Sequence, residues 1–399
     1  MKITLSFNDQ NKQISLLTGA ICIFFLSIPF DFIPIGSFGS ISKVVAFFPL
    51  IIIFLNIFKI KPSGKILTII LCFLLVSFFS SVFSVNSSAI SNWFSLFLNL
   101  SIIALMLCFK YTESEYNAIE TSILFSGVFL CISFFVFNYV GESGRQGVSL
   151  MGVEQNLNYL CGYLLLPQAI CLKRISEKKN KLIYYILIAI MIVVVFLSGS
   201  RGGLLASFGV IGVCLLANLR NKNISFKRKF IYVVSFVILS IVLFVIFEKV
   251  VPDELKARYL IQSIINDKGS NRLLIWESLL NSYSRFNLLE KLFGVGIGTS
   301  SLYSYNGIYA AHNVFIAYLL ECGLVGVLIY TWLLIKLGYL SIKWKCYNQF
   351  AALVGFVIMS MTTNFTNFKP MWILIFYIII SNNQQSAITK TDSYREQLT

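Results

Sequence analysis

A few polar side chains stand out in a chain that is otherwise apolar: the arginines Arg145, Arg201 and Arg272, the lone histidine His312, and the acid Glu321 inside an apolar run. A guanidinium is permanently charged and planar, which suits it to phosphate oxygens. Arg201 stands in Ser198-Gly199-Ser200-Arg201-Gly202-Gly203, where glycine permits a sharp turn and a close approach of ligand to backbone. The same arginine could instead reach lipid headgroups from a helix end. A neutral imidazole can accept a proton from an attacking hydroxyl near pH 7, or be an ordinary polar residue at a membrane edge. Glu321 would lie about two and a half turns beyond His312 on one helix, as a functional acid or a partner of nearby hydroxyls. Asn156 and Asn158, beside the connection that carries Arg145, could bond a sugar or cap the helix that follows.

The elements that must position these groups are helices in a membrane. Hydrophobic residues make up 57% and charged residues 12% of the chain, against about 45–50% and about 25% in soluble domains. Many apolar runs approach the roughly 20 residues that cross a bilayer as a helix. They fall near 14–33, 41–58, 66–84, 91–109, 120–140, 156–172, 182–198, 202–218, 230–248, 312–335, 348–364 and 370–381. The expected fold is therefore all-α, a polytopic bundle of about twelve spans. It forms a single domain over residues 1–399, with one long polar connection at 249–311. The first run lacks a small-residue cleavage site and reads as a retained helix. The polar stretch from Ser381 reads as a short disordered end. The nine cysteines fall almost all inside apolar runs without CxxC spacing, which favours small buried hydrophobes over disulfides or a zinc site.

The formal charge of +15 would suggest nucleic acid in a soluble protein, but its distribution favours a membrane topology. Alternate connections starting from the N-terminus hold 21 of the 32 basic residues. Positive charge marks the cytoplasmic side, so both termini are expected there, with the long connection facing outward. The basic segments Lys173–Lys181 and Arg220–Lys229 share a side only if the runs at 182–198 and 202–218 form a hairpin, which supports a break at 198–203.

Within the long connection, Ser270–Leu280 reads as an amphipathic helix with Leu273, Trp276 and Leu280 on one face and Arg272 at its start. Such a helix would lie on the bilayer or cap the bundle. Phe293-Gly294-Val295-Gly296-Ile297-Gly298-Thr299 is glycine-rich, but it lacks the preceding strand and following helix of a nucleotide loop.

The ordered set Ser198-Gly199-Ser200-Arg201-Gly202-Gly203, Arg272-Leu273-x-x-Trp276, Gly294-x-Gly296-x-Gly298, His312-Asn313 and Glu321-x-Gly323-x-x-Gly326 resembles the O-antigen ligase and O-antigen polymerase superfamily of bacterial envelopes. The resemblance covers residues 198–326 and implies a GT-C-like glycosyltransferase of the inner membrane with a periplasmic lid at 249–311. Such an enzyme moves a glycan from an undecaprenyl pyrophosphate carrier to an acceptor hydroxyl, with no metal and no cofactor. It implies that Arg201 and Arg272 bind pyrophosphate and that His312 is the base or positions the acceptor. Arg145, Asn156, Asn313 and Glu321 are the expected substrate contacts. Since no enzymic nucleophile is evident, the anomeric centre should invert. The expected partners are the lipid-linked oligosaccharide, the acceptor glycan, membrane lipids and a chain-length regulator, with no nucleic acid. A polymerase joining carrier-linked repeat units is the first reading. A ligase acting on lipid A core is the alternative, and a flippase for the same lipid-linked glycan is a third.

Overall fold

The computed structural model describes residues 14–36, 39–59, 64–141, 144–177, 182–221, 224–266 and 269–396, without the side chains of 59, 261, 264 and 385–396. Of the basic residues used above, Lys2, Lys12, Lys61, Lys178, Lys179, Lys181, Lys222 and Lys268 lie outside the described residues, and the side chains of Lys59, Lys390 and Arg395 do too.

The chain is an all-α polytopic membrane protein. Each apolar run falls on a helix: α1 (Leu16–Ser27), α2 (Ile41–Leu55), α3 (Lys65–Val82), α4 (Ser88–Leu107), α5 (Glu113–Val136), α6 (Leu157–Glu177), α7 (Leu182–Leu197), α8 (Arg201–Arg220), α9 (Phe226–Val250) and, beyond the long connection, α14 (Val314–Glu321), α15 (Gly323–Lys343), α16 (Tyr347–Ser360) and α17 (Lys369–Glu396). Among the described residues, α3, α4, α5, α8, α9 and α15 are long and apolar enough to cross a membrane. Shorter apolar helices lie at Leu16–Phe30, Ile41–Leu55, Leu182–Leu197 and Tyr347–Ser360.

Burial separates the centre from the rim. From Met371 to Ile378 every residue of α17 is buried, including Trp372 and Tyr377, so this helix is the post around which the others stand. In α9 only Tyr232, Leu239 and Leu243 are buried, so that helix lies at the edge and presents the rest of its surface outward. Small residues let α8 press against its neighbours. A Cβ at Gly202 would meet Thr362 Oγ1 at 2.1 Å, one at Gly203 would meet Cys161 Cβ at 2.5 Å, and one at Gly355 would meet Val210 at 2.6 Å. The cysteines are free, and all but Cys22 and Cys72 are buried.

Four sequence expectations need correction. The helix expected to run through residue 140 ends at Val136, and the chain turns into three antiparallel strands: β1 (Asn138–Val140), β2 (Gln146–Leu150) and β3 (Val153–Glu154). Tyr139 faces Gly147 across the first pair. The tyrosine ring covers the glycine so closely that a Cβ there would sit 2.6 Å from it. The run at 312–335 is two helices, broken at Cys322–Gly323. Gly323 has φ +67 and packs with no room for a side chain against the backbone of Leu292. The C-terminal stretch is helical through Glu396, since no glycine or proline follows Pro370 to stop it.

The fourth correction concerns the long connection, which holds α10 (Asp253–Tyr259), α11 (Ile261–Asn266), α12 (Arg272–Ser284) and α13 (Leu288–Phe293). The expected helix is present as α12, but Leu273 and Leu280 are exposed, and Ile275 and Leu279 are the buried pair. These two join Ala311, Ala317 and Leu320 in a small core, with Trp276 and Ile316 against it. Residues 273–276 and 279–280 are all apolar, so two stripes satisfy a helical period and only the partner helix α14 selects between them.

Candidate functional site

The site begins at the turn between α7 and α8. Ser200 caps α8, its Oγ accepting from the N–H of Gly203 at 3.1 Å and donating to Asn158 Oδ1 at 2.7 Å. Gly199 takes φ +65, and a Cβ there would lie 2.8 Å from Leu255 and 3.0 Å from the Arg145 side chain. Of the three glycines in the motif, this one serves the turn, whereas Gly202 and Gly203 serve helix packing.

Arginines from different parts of the chain gather round the turn. Arg145, from the loop between β1 and β2, donates through Nε to the carbonyl of Ser198 at 2.9 Å. Arg258, on α10, donates through Nε to the carbonyl of Gly199 at 3.1 Å. Arg201 donates through Nε to the carbonyl of Arg258 at 2.8 Å and through Nη2 to Ser263 Oγ at 2.9 Å. Among the described residues, a backbone carbonyl accepts from the Nε of each of the three and fixes its direction. Burial, and next the charge of Arg258, lower the pKa of Arg145 from the ordinary arginine value. Its group still stays charged.

Arg145, Arg201, Arg258, Arg272 and His312 all line one cavity of about 350 Å³, together with Asn158 and Thr362. Among the described residues no acid lines it. His312 is half-buried at its edge with φ +49, a left-handed conformation unusual for a residue with a side chain. Burial, and next the charge of Arg272, hold the His312 pKa below the ordinary value of about 6.5. At neutral pH the imidazole is therefore uncharged and able to take a proton. Four fixed positive charges and one neutral base around such a cavity suit an anionic ligand that reacts with a hydroxyl.

The other expected contacts take different places. Asn156 accepts from the N–H groups of Asn158 and Tyr159 at 3.0 and 3.3 Å, at the start of α6. Asn313 caps α14, its Oδ1 accepting from Phe315 and Ile316 at 2.9 and 3.2 Å. Glu321 is fully buried at the α14–α15 break and accepts from Ser300 Oγ at 2.6 Å. Its backbone carbonyl accepts from Ser80 Oγ and from the N–H of Gly296. None of these three lines the arginine cavity. Gly294, at φ +83, meets the backbone of Glu321, and Gly298, at φ +75, meets Asn92. The glycine-rich segment is thus a packing device.

Sequence reasoning missed Arg258. A signal was present: Leu255 and Tyr259 are spaced to share a helix face and are packed on the bundle, and Arg258 lies beside Tyr259 on the same short helix.

Residues 186–331 match the family model described as O-antigen ligase. This supports the O-antigen ligase and polymerase superfamily. The matched stretch holds Arg201, Arg258, Arg272 and His312, while Arg145, Asn158 and Thr362 reach the cavity from outside it. No curated protein matches the chain. Among solved structures, a chain from "Structural coordination of polymerization and crosslinking by a peptidoglycan synthase complex" is similar, with 13% identity and a TM-score of 0.46. That similarity covers 82% of this chain and 98% of the other.

Proposed function

We propose that this protein is a glycosyltransferase whose arginine cavity holds the pyrophosphate of a polyprenyl-linked glycan, and that it polymerises carrier-linked repeat units of a surface polysaccharide. The observation that supports the reading most is the gathering of Arg145, Arg201, Arg258 and Arg272 with His312 around one cavity in a helical membrane protein. A volume of about 350 Å³ lies within the range of small-molecule sites. The acceptor hydroxyl attacks the anomeric carbon as the bond from that carbon to the pyrophosphate oxygen breaks, and the sugar inverts. The proton goes to the His312 imidazole, and the electron pair of the broken bond stays on the pyrophosphate. Arginines stabilise that charge as it develops. The cavity faces the periplasm, residues 249–311 act as its lid, and both termini are cytoplasmic. A chain-length regulator is a partner of the same assembly.

A second reading, transfer to lipid A core, is favoured by the description of the matching family. Purified protein in vesicles, supplied with polyprenyl pyrophosphate-linked repeat units, tests both. Longer glycans with inverted linkages support the polymerase, and product formed only when lipid A core is added supports the ligase. Movement of intact lipid-linked glycan across the bilayer without transfer would overturn both.

A further inference from the structure

Arg272 and His312 are 40 positions apart in sequence, yet both reach the same cavity. One turn after Arg272 on α12, Trp276 donates its indole N–H to the carbonyl of Ala311 at 2.8 Å. Ala311 is fully buried and belongs to the small core that includes Ile275 and Leu279. The next residue is His312, whose left-handed backbone is unfavourable for a residue with a side chain and persists only when its flanks are fixed. On the far side Asn313 fixes the start of α14. On the near side Trp276 ties the residue before His312 to the helix that carries Arg272. An indole has a single donor and cannot accept, so this bond has one polarity.

We propose that Trp276 is a positioning residue: its bond to the Ala311 carbonyl holds the His312 imidazole at the cavity in register with Arg272. The proposal rests on the glycosyl-transfer reading only for the task the imidazole performs. If the bond is lost, residues 311–313 relax and His312 moves away from Arg272 and toward water. Charged groups lining the same cavity are Arg145 in the strand loop, Arg201 on α8, Arg258 on α10 and Arg272 on α12. With these neighbours, withdrawal of the ring raises its affinity for a proton.

The chain has a single histidine, so the imidazole can be followed by NMR in uniformly histidine-labelled full-length protein carrying no histidine tag. In Trp276→Phe the titration midpoint of that signal should rise by about half a pH unit toward the ordinary value. Turnover should fall about tenfold or more, with KM for the lipid-linked donor unchanged. Ile275→Val trims the same core without touching the bond and should leave the midpoint in place. Benzothienylalanine in place of Trp276 removes only the donor and should reproduce the Phe result, which guards against misfolding of that variant. An unchanged midpoint in both donor-less proteins, or an equal shift in Ile275→Val, overturns the proposal. His312→Ala reports separately on the transfer reading. Full turnover in that variant would sink the base assignment while the titration still decides what positions the ring.

Discussion

Two charged clusters of this molecule are built in opposite ways. In the first, Glu120 of α5 is fully buried and forms ion pairs with Lys173 and Arg174 of α6. The Tyr377 hydroxyl of α17 adds a hydrogen bond at 2.6 Å, and Tyr116, which stacks on Tyr377, adds another at 3.1 Å. Acid meets base within the fold, so this cluster joins three helices. In the second, four arginines line a cavity that has no acid among its described lining residues, and backbone carbonyls aim three of them. The first region joins helices through paired charges, and the second gathers like charges around an open cavity, the arrangement on which the proposed pyrophosphate site rests.

The largest effect expected from breaking this contrast is structural. Glu120→Gln removes the buried acid that Lys173 and Arg174 share and should cost about 3–5 kcal/mol of stability. A fall in thermal stability in detergent, with turnover per folded molecule preserved, is the expected result. Lost turnover at full stability would erase the distinction between the two regions. Next in size, Arg201→Ala and Arg272→Ala should each remove about 2–5 kcal/mol of interaction with a desolvated phosphate. Glycan chain length on gels should collapse while the protein still inserts, and wild-type lengths would take that arginine out of the mechanism. His312→Ala should slow turnover about 100-fold and leave donor binding largely intact. Loss of donor affinity would instead assign the imidazole to the pyrophosphate. Asn313→Ala removes a helix cap worth about 1 kcal/mol and should lower thermal stability by that modest amount.

The smallest effect is on pH. Because burial and Arg272 lower the His312 pKa, kcat/KM should be flat near neutrality and fall only as pH drops through a midpoint below about 6.5. In Arg272→Gln one of the lowering causes is gone, so the acid limb of the residual activity should move to higher pH. A limb that stays in place would separate the two residues.

Much of the helical framework was legible because long apolar runs and basic turns have few other physical solutions. The break at Ser198–Arg201 was readable from glycine and charge, and the structure places Leu197 and Arg201 at the adjoining helix ends. Arg201, Arg272 and His312 were legible as rare polar types beside apolar runs, and they share the cavity with Arg145. Asn156, Asn313 and Glu321 were equally conspicuous by type, yet in the structure they cap helices or hold a helix break. Residue type shows that a polar group needs a partner. It does not show whether that partner is the protein itself.

By itself the sequence determined a polytopic helical protein, because a chain this apolar must satisfy its backbone internally within a bilayer. It also set which few side chains could carry charge to a site. Only the tertiary structure decided which face of α12 turns inward, that Arg258 joins the cavity, and that the Trp276 indole meets the carbonyl of Ala311 beside His312. Those facts depend on contacts between segments far apart in the chain. A helical period repeats along one segment and carries no information about the element that will lie against it.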